Sequence, residues 1–405
     1  MKSIHHLRIH PLVSALFGAG VCLASASAQA GSLAIVSHGG DSGEGSLRMA
    51  LQSGASHIVI LPSVQMIYID ETLSYSGTEP LTILGSGQRI KAYGEFDMLA
   101  LTAGADLTAS DVSFIGPGNF SIESQGEGKG IFIDVPEDRT GVVRLSLTDV
   151  TVSGFAYHGV HVSDCSGGDD CGSGQESGGT GSPASVVVTF HGVDINDVGN
   201  GRFDGDGLRV DERSEGGISF QAYRSSFTGV GADGLELDED DVEDLSGSVL
   251  VTVADSRFDN NGAYCDPELL EQFLPVPDEA EDLPVSGADA VFEENIRPVG
   301  TPDDACFEVE FEKHEGMDSL SEYEVAIDVD DGFDIDEAGG GSIDVTMTGS
   351  RINGNFDEGA DFDEAGEGGF VVSFIDTVAS GNTDDGFKLS EEDGGEVLAS
   401  MRKVQ

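Results

Sequence analysis

Apolar and polar residues alternate with a period of two in six short segments of this chain, which share one motif. In residues 233–239, with the sequence DGLELDE, the two leucines alternate with Glu236 and Asp238. A period of two is the pattern of a β-strand that buries one of its sides. We therefore expect six short strands whose aliphatic side chains enter a core. The segments are residues 158–164, 206–212, 233–239, 331–337, 358–364 and 385–391.

The spacing of these segments indicates a repeat protein. Three of the intervals between their first residues are 27 residues long: 206–233, 331–358 and 358–385. A second alternating segment follows after a short glycine-rich gap, as at residues 343–347, with the sequence IDVTM. About 27 residues with several strands and no helix suit one coil of a solenoid, in which equivalent strands pair in parallel about 4.8 Å apart. The pattern predicts an all-β protein, a right-handed parallel β-helix.

Residues 46–51, near the N-terminus, predict one short helix. Ser46 is a good N-cap residue, and Leu47, Ala50 and Leu51 after it form an apolar stripe at helical spacing. A solenoid needs its open end covered. We therefore expect the helix to lie over the first coil as a cap.

Two features together resemble a known group of proteins. The run GGDSGEGSLRMAL at residues 39–51 precedes an apolar strand at residues 58–61, and the D-G repeats follow further along the chain. This arrangement resembles secreted right-handed parallel β-helix repeat proteins of the pectin-lyase-like superfold, over about residues 32–400. The resemblance implies the fold and carries little information about activity.

The first thirty residues predict a secretory signal. Lys2 and Arg8 precede an apolar run at residues 12–24, and small residues at 26–30 offer a cleavage site. The apolar run is too short to span a bilayer. We expect residues 1–30 to be removed, which leaves a single domain at 31–405 in the periplasm or outside the cell, with no membrane span.

Two interruptions break the period, at residues 165–183 and 264–307, and we expect loops that bulge from a coil. Each interruption carries two cysteines: Cys165 and Cys171 in the first, Cys265 and Cys306 in the second. An even number of cysteines in an exported chain favours disulfides. One bridge within each interruption is the preferred of three possible connectivities. Such loops often form a binding face, but inert decoration is the favoured interpretation of these two.

The charge of the chain excludes several partners. It has 75 acidic residues against 19 lysines and arginines, for a net charge of −56. Such a surface repels nucleic acid, anionic lipid and acidic polysaccharide, and it attracts cations.

If the repeats stack in register, their polar side chains form columns on the outer side of the coil. One column contains His161, Arg209, Glu236, Asp334, Asp361 and Lys388, the next contains Ser163, Asp211, Asp238, Asp336, Asp363 and Ser390, and a third, at the turn, contains Asp164, Glu212, Glu239, Glu337, Glu364 and Glu391. Carboxylates stacked about 4.8 Å apart repel by roughly 0.9 kcal/mol per pair in water. A hard divalent cation, above all calcium, would neutralise them. The alternative is a solvated acidic face that salt screens. The candidate metal ligands are Asp211, Glu236, Asp238, Asp334, Asp336, Asp361 and Asp363.

The sequence does not match the catalytic patterns of the superfold. Polygalacturonase-like hydrolases carry N-T-D, D-D, G-H-G and R-I-K in chain order, but here the matching letters at residues 382–384, 169–170 and 89–91 are out of order and G-H-G is missing. The D-P-H-D pattern of uronan epimerases is also absent. Arg209 is the one candidate base for a lyase, and its acidic neighbours favour a salt-bridge role. No catalytic residue is therefore predicted.

These observations favour a non-catalytic secreted protein that binds divalent cations through acidic columns and acts in surface or matrix interaction. The expected partners are divalent cations, with neutral glycans or cell-surface components as further candidates. The alternative is a carbohydrate-active enzyme of the superfold, either a polysaccharide lyase or a glycoside hydrolase. Asn261, Asn355 and Asn382 occupy matching turn positions, where we expect an asparagine ladder or left-handed turns.

Overall fold

The alternating segments form strands in the computed structural model, because their aliphatic side chains reach a common core. The described residues are 32–120, 126–165, 181–202, 204–239, 247–262, 330–366, 368–392 and 395–405, with the backbone of 283–284, 308–312 and 322–326. They belong to one unit, Gly31–Gln405. The predicted signal peptide lies outside them and stays a prediction.

The described strands are short, apart from a few that run for seven residues or more. In chain order the first fifteen are β1 Leu33–Val36, β2 His57–Ile60, β3 Met66–Ile69, β4 Leu73–Tyr75, β5 Leu81–Ala92, β6 Leu99–Leu101, β7 Leu107–Ile115, β8 Ile131–Asp134, β9 Gly141–Thr148, β10 Thr151–Ser153, β11 Val160–Ser163, β12 Ala184–His191, β13 Asp194–Asn196, β14 Leu208–Glu212 and β15 Ile218–Tyr223. The others are β16 Ser226–Thr228, β17 Leu235–Glu239, β18 Val249–Ala254, β19 Arg257–Asp259, β20 Leu283–Pro284, β21 Glu308–Glu312, β22 Glu322–Ala326, β23 Asp334–Gly339, β24 Ile343–Thr348, β25 Arg351–Asn353, β26 Asp361–Gly366, β27 Gly369–Ile375, β28 Val378–Ser380, β29 Ser390–Glu392 and β30 Glu396–Arg402.

Parallel pairing arranges these strands in three ladders. The first ladder runs β1, β2, β5, β7, β9, β12, β15, β18, β24, β27, β30. The second runs β3, β5, β7, β10, β13, β16, β19, β25, β28. The third runs β4, β6, β8, β11, β14, β17, β23, β26, β29. Each repeat adds one strand to each ladder, which is the arrangement of a parallel β-helix and confirms the predicted all-β class with parallel pairing.

The ladders continue across both interruptions of the period. β11 pairs directly with β14, and β17 pairs directly with β23, with Glu236 opposite Asp334. Most residues of the interruptions lie outside the described part, so the predicted loops and disulfide pairs stay predictions. β20, inside the second interruption, and β21, just after it, both pair with β22 in an antiparallel sheet.

The core is built from the inward side of all three ladders. The predicted core residues Leu208, Leu235 and Phe333 are fully buried. Phenylalanines of successive coils stack, with the Phe258 ring 4.9 Å from Phe227 and 5.4 Å from Phe333. Burial of each such ring contributes on the order of 2 kcal/mol.

An asparagine ladder runs along one turn, as predicted. The Asn261 backbone N–H donates to Asn355 Oδ1 at 3.1 Å, and the Asn355 backbone N–H donates to Asn382 Oδ1 at 3.1 Å. The side-chain amide of Asn355, through Nδ2, also donates to the backbone carbonyl of Phe258 at 3.3 Å. These bonds satisfy buried turn groups that the strands leave unpaired.

The predicted short helix is present as α1, Leu47–Gln52. Ser46 Oγ accepts the backbone N–H of Met49 at 3.1 Å, and Leu47, Ala50 and Leu51 are buried. α1 contacts β1, β2 and β4. Among the described residues, no helix has the length and apolar character needed to cross a bilayer.

Candidate functional site

The register of the third ladder produces the columns that the sequence predicts. His161 lies opposite Arg209, which lies opposite Glu236, and the series continues to Asp334 and Asp361. The second column runs Ser163, Asp211, Asp238, Asp336, Asp363, Ser390 in the same register. Polar side chains therefore stack from coil to coil, and the first column changes from basic to acidic between Arg209 and Glu236.

The outer side of this ladder is not the exposed face that the alternation suggested. All five residues of β14 and of β17 are buried, including Arg209 at 3% and Glu236 at 7% exposure. The expectation of a solvated outer face is wrong for these two strands. A period of two shows that two sides of a strand differ, but it does not show whether chain packs over the polar side.

Arg209 occupies the centre of the buried polar groups on this side. Its Nε lies 2.7 Å from Asp211 Oδ1, and its Nη1 lies 2.6 Å from Glu236 Oε2. Asp204 and Asp238 oxygens lie 3.3 and 3.5 Å away. The predicted salt-bridge role is confirmed, and a guanidinium surrounded by carboxylates cannot act as a base. Burial opposes ionisation of Asp211, but Arg209 and then His161 hold its pKa below the usual range.

The end of the third ladder near β11 carries basic and aromatic side chains. His161 Nδ1 accepts from Lys129 Nζ at 2.6 Å, and His161 Nε2 lies 2.6 Å from Asp211 Oδ2. Burial, and then Lys129, lowers the pKa of His161 to about 4. The imidazole is therefore neutral near pH 7, and both of its nitrogens are engaged. Lys129 stands at the position of His158 in the preceding coil, where most copies of the motif have an acid, as the register of β8 against β11 shows.

Tyr157 and His158 pack beside this group, and the sequence did not single out Tyr157. Their ring centres are 3.7 Å apart, and the guanidinium carbon of Arg202 lies 4.3 Å from the centre of the Tyr157 ring. Tyr157 is 3% exposed, and its hydroxyl has no hydrogen-bond partner within the described ranges. A buried hydroxyl without a partner is costly unless a ligand or water completes it.

The other end of the ladder carries groups of carboxylates. In each group, ligand oxygens lie within 4.8 Å of one another: Glu236 with Asp334 and Asp336; Asp331 with Glu358 and Asp361; Asp357 with Glu358 and Asp384; Asp204 with Asp206 and Glu236. We call the first two groups the carboxylate edge. Burial, and then the neighbouring Asp336, raises the pKa of Asp334 well above its usual range. Burial and Asp361 do the same for the pKa of Asp331.

Three of the seven predicted metal ligands thus meet in one group, and Asp361 lies in the second. Asp211 and Asp238 contact Arg209 instead. Asp361 Oδ2 pairs with Lys388 Nζ at 2.5 Å, while Asp361 Oδ1 and Asp363 Oδ1 are buried without a hydrogen-bond partner in the described part of the chain. An all-oxygen donor set with unpaired buried oxygens fits a hard cation.

The turn glutamates form a separate, inner ladder. Glu212, Glu239 and Glu337 stack in register and are buried on the same side as the core leucines. Glu239 Oε1 accepts the backbone N–H of Gly247 at 2.5 Å, and Glu337 Oε1 accepts that of Gly341 at 3.0 Å. Burial, followed by the neighbouring carboxyls, raises the pKa of Glu212 to about 8 and that of Glu239 to about 12. Glu212 and Glu239 are therefore protonated structural groups at neutral pH, and the sequence expectation of an outer turn column is corrected.

The first acid of each repeat motif also has a structural contact. Asp206 Oδ1 accepts the backbone N–H of Asp233 at 3.1 Å, and Asp331 Oδ1 accepts that of Glu358 at 2.7 Å. Each carboxylate thus joins its own coil to the next. Part of the acidity of this chain is therefore explained by the fold.

The fold and the carboxylate edge define an acidic parallel β-helix protein. No protein-family model and no curated protein matches the sequence. Among solved structures, the chain is similar to ORF18 of Geobacillus virus E2, with 10% identity and a TM-score of 0.39, covering 87% of this chain and 57% of that one. The chain thus spans just over half of the viral protein.

Two further structures are similar over most of both chains. A double mutant of the periplasmic alginate epimerase AlgG has 8% identity and a TM-score of 0.39, covering 92% of this chain and 84% of that one. The A-module of the Azotobacter vinelandii mannuronan C-5 epimerase AlgE6 has 9% identity and a TM-score of 0.20, covering 88% and 94%. At such values the function has to be argued from the site itself.

Proposed function

We propose that this protein is secreted and binds divalent cations, calcium foremost, at its carboxylate edge, and that it acts in surface or matrix interaction. The observation that carries the proposal is the group of Glu236, Asp334 and Asp336, whose ligand oxygens lie within 4.8 Å of one another. The group joins two neighbouring coils, so a bound cation would tie them together.

The crowded carboxylates must be neutralised by protons or by cations. Calcium takes six to eight oxygens and tolerates irregular geometry, and three carboxylates offer up to six oxygens. A net charge of −56 concentrates cations around the protein. Calcium at this edge therefore competes with protons near neutral pH, and we propose that it displaces them.

The contacts of the third ladder narrow the proposed ligand set. Asp211 and Asp238 contact Arg209 and belong to none of the carboxylate groups found among the described residues. Glu236 contacts Arg209 and also belongs to the group with Asp334 and Asp336. Asp361 and Asp363 follow Asp334 and Asp336 in register and have unpaired buried oxygens. The proposed ligands are Glu236, Asp334, Asp336, Asp361 and Asp363.

A calcium titration followed by thermal unfolding tests this proposal. We expect calcium to raise the unfolding temperature and a chelator to lower it, because a ligand that binds only the folded state stabilises it. Calorimetry with calcium and with magnesium would give the affinity and the selectivity. An unfolding temperature that calcium does not change, together with no heat of binding, would overturn the proposal.

A second candidate, a carbohydrate-active enzyme, is favoured by the group around Tyr157. The ring of Tyr157 lies 4.3 Å from Arg202 and 4.9 Å from Lys129, and its hydroxyl has no partner among the described residues. Two cations over the ring of this tyrosine are of the type that pairs with the carboxylate of a uronate sugar. The engaged nitrogens of His161 weigh against a base at that position.

A screen for reducing ends and unsaturated products separates the two candidates. It would cover neutral and acidic glycans, with calcium and with chelator. Turnover that Tyr157→Phe abolishes, and that the matched change Tyr223→Phe on β15 leaves intact, would establish the enzyme. Calcium binding without any turnover would leave the first proposal standing alone.

Three further features are part of this proposal: the handedness of the coils, the role of α1 and the export of the chain. We propose that the coils wind in a right-handed sense and that α1 covers the first coil. The buried stripe of Leu47, Ala50 and Leu51 supports the cap. The apolar run at residues 12–24 supports export.

A further inference from the structure

The last strand of the first ladder, β30, leaves core-facing side chains exposed. β30 pairs with β27, which places Val397 opposite Phe370 and Met401 opposite Phe374. The two phenylalanines are fully buried, whereas Val397 and Met401 are 45% and 55% exposed. On its other edge, β30 pairs with no strand among the described residues. The end of the core therefore faces outward at this strand.

An unpaired strand edge beside exposed apolar residues is a docking surface for another strand. Natural proteins protect such edges with charges, prolines or a covering segment. β30, with the sequence EVLASMR, has no proline and carries charges only at its two ends, Glu396 and Arg402. The adjacent Lys403 is paired with Asp376 at 2.8 Å.

The sequence of β30 is complementary to itself in the antiparallel direction. Pairing about Ala399 places Glu396 opposite Arg402 of the second copy, and Val397 opposite Met401 of the second copy. Glu396 and Arg402 both lie on the outer side, while Val397 and Met401 both lie on the core side. A shift of one residue would place Val397 opposite Arg402 instead. The charged pair and the apolar pair thus both favour the register centred on Ala399.

We propose that a second copy of this chain pairs with β30, antiparallel and about a two-fold axis at Ala399, so that two β-helices join end to end. A two-fold interface uses the same patch on both copies, which is what a self-complementary strand provides. The axis keeps the two cores on the same side of the joined sheet, so Val397 and Met401 become buried. The proposal does not depend on cation binding.

Charge reversal tests the register by sedimentation velocity. We expect a concentration-dependent dimer that Arg402→Glu or Glu396→Arg weakens by about tenfold or more, because two pairs become repulsive. An equimolar mixture of the two single variants should dimerise again, since each pair then joins opposite charges. Both side chains are exposed, so the fold should survive each change, and circular dichroism checks this.

Cysteine cross-linking tests the axis itself. Residues directly opposite in an antiparallel pair have Cα atoms about 4.5–5.5 Å apart, which is within reach of a disulfide. Ala399→Cys should therefore form a covalent dimer on mild oxidation. Ser400→Cys is the control, because its two copies would lie more than about 7 Å apart.

Three results would overturn the proposal. They are a protein that stays monomeric at every concentration, a dimer that Arg402→Glu leaves unchanged, and equal cross-linking of the two cysteine variants. The first would also be the outcome if another segment or another protein covers β30. Restored dimerisation in the mixture, together with cross-linking at position 399 alone, would establish it.

Discussion

Arg209 Nη1 lies 2.6 Å from Glu236 Oε2, and the two residues stand opposite each other on β14 and β17. The guanidinium is 3% exposed and is surrounded by carboxylates. It neutralises the acids where the third ladder passes from basic to acidic side chains. Because removal of one member of a buried ion group leaves charge uncompensated, this arrangement makes a strong prediction about stability.

We expect Arg209→Met to lower the free energy of unfolding by about 3–5 kcal/mol. Arg257→Met is the matched control, since Arg257 is exposed on β19, and it should cost less than about 0.5 kcal/mol. Chemical denaturation of both variants measures the difference. If the two variants lose equal stability, Arg209 does not neutralise the ladder.

The carboxylate edge predicts that the order of stability of the natural protein and a carboxylate variant reverses when calcium is added. In chelator, Asp334→Asn with Asp336→Asn should be more stable than the natural protein, because both changes relieve the repulsion between crowded, partly buried carboxyls. With calcium, the natural protein should gain stability and the double variant should not. Asp255→Asn with Asp344→Asn removes the same charge from exposed positions and should keep the calcium response. Loss of the response in that control would instead indicate a general effect of charge.

The inner glutamate ladder predicts that stability falls as pH rises above neutrality. The folded state raises the pKa of Glu212 to about 8 and that of Glu239 to about 12. It therefore holds these protons more tightly than the unfolded chain, and their stabilisation, complete below about pH 4.5, is lost as pH rises through these values. His158 and His161 have lowered pKa values and act in the opposite sense only below about pH 6.5.

In the range from about pH 6.5 to 9 the histidines no longer contribute, and the fall reports the inner glutamates together with Asp331 and Asp334, whose pKa values are also raised. In chelator, the unfolding temperature should fall across this range, and Glu239→Gln should flatten the fall, because a glutamine resembles the protonated acid. Glu215→Gln, at an exposed site, should leave the slope unchanged. A natural protein whose stability rises over this range would contradict the ladder.

The asparagine ladder predicts a dependence on position. Asn355→Ala should cost about 2–3 kcal/mol, because it leaves the backbone N–H of Asn261 and the carbonyl of Phe258 buried without their partners. Asn382→Ala, at the partly exposed end of the ladder, should cost less. Equal losses in the two variants, measured by chemical denaturation, would indicate that the ladder bonds contribute little.

Local patterns in the sequence determined much of this structure. The alternation in segments such as 233–239 sets the strands, because the two sides of a strand follow successive residues. The 27-residue interval sets the register, since equal coils bring equivalent residues together. This is why Arg209, Glu236 and Asp334 could be placed in one column before any contact was known. Ser46 and the apolar residues after it likewise sufficed to predict α1.

Only the tertiary structure decided how the acids are used. Glu239 lies on the core side of β17 and Glu236 on the other side, but only the fold shows that Glu239 accepts a bond from Gly247 while Glu236 meets Arg209. Lys129 stands at the first motif position of its coil, and its Nζ lies over the ring of Tyr157. Burial, pKa and ion pairing depend on what packs over a strand, which is a property of distant chain segments. The sequence by itself determined the coil and its columns of acids. The folded chain decided which of these acids hold a proton, which pair with an arginine, and which keep an oxygen without a hydrogen-bond partner.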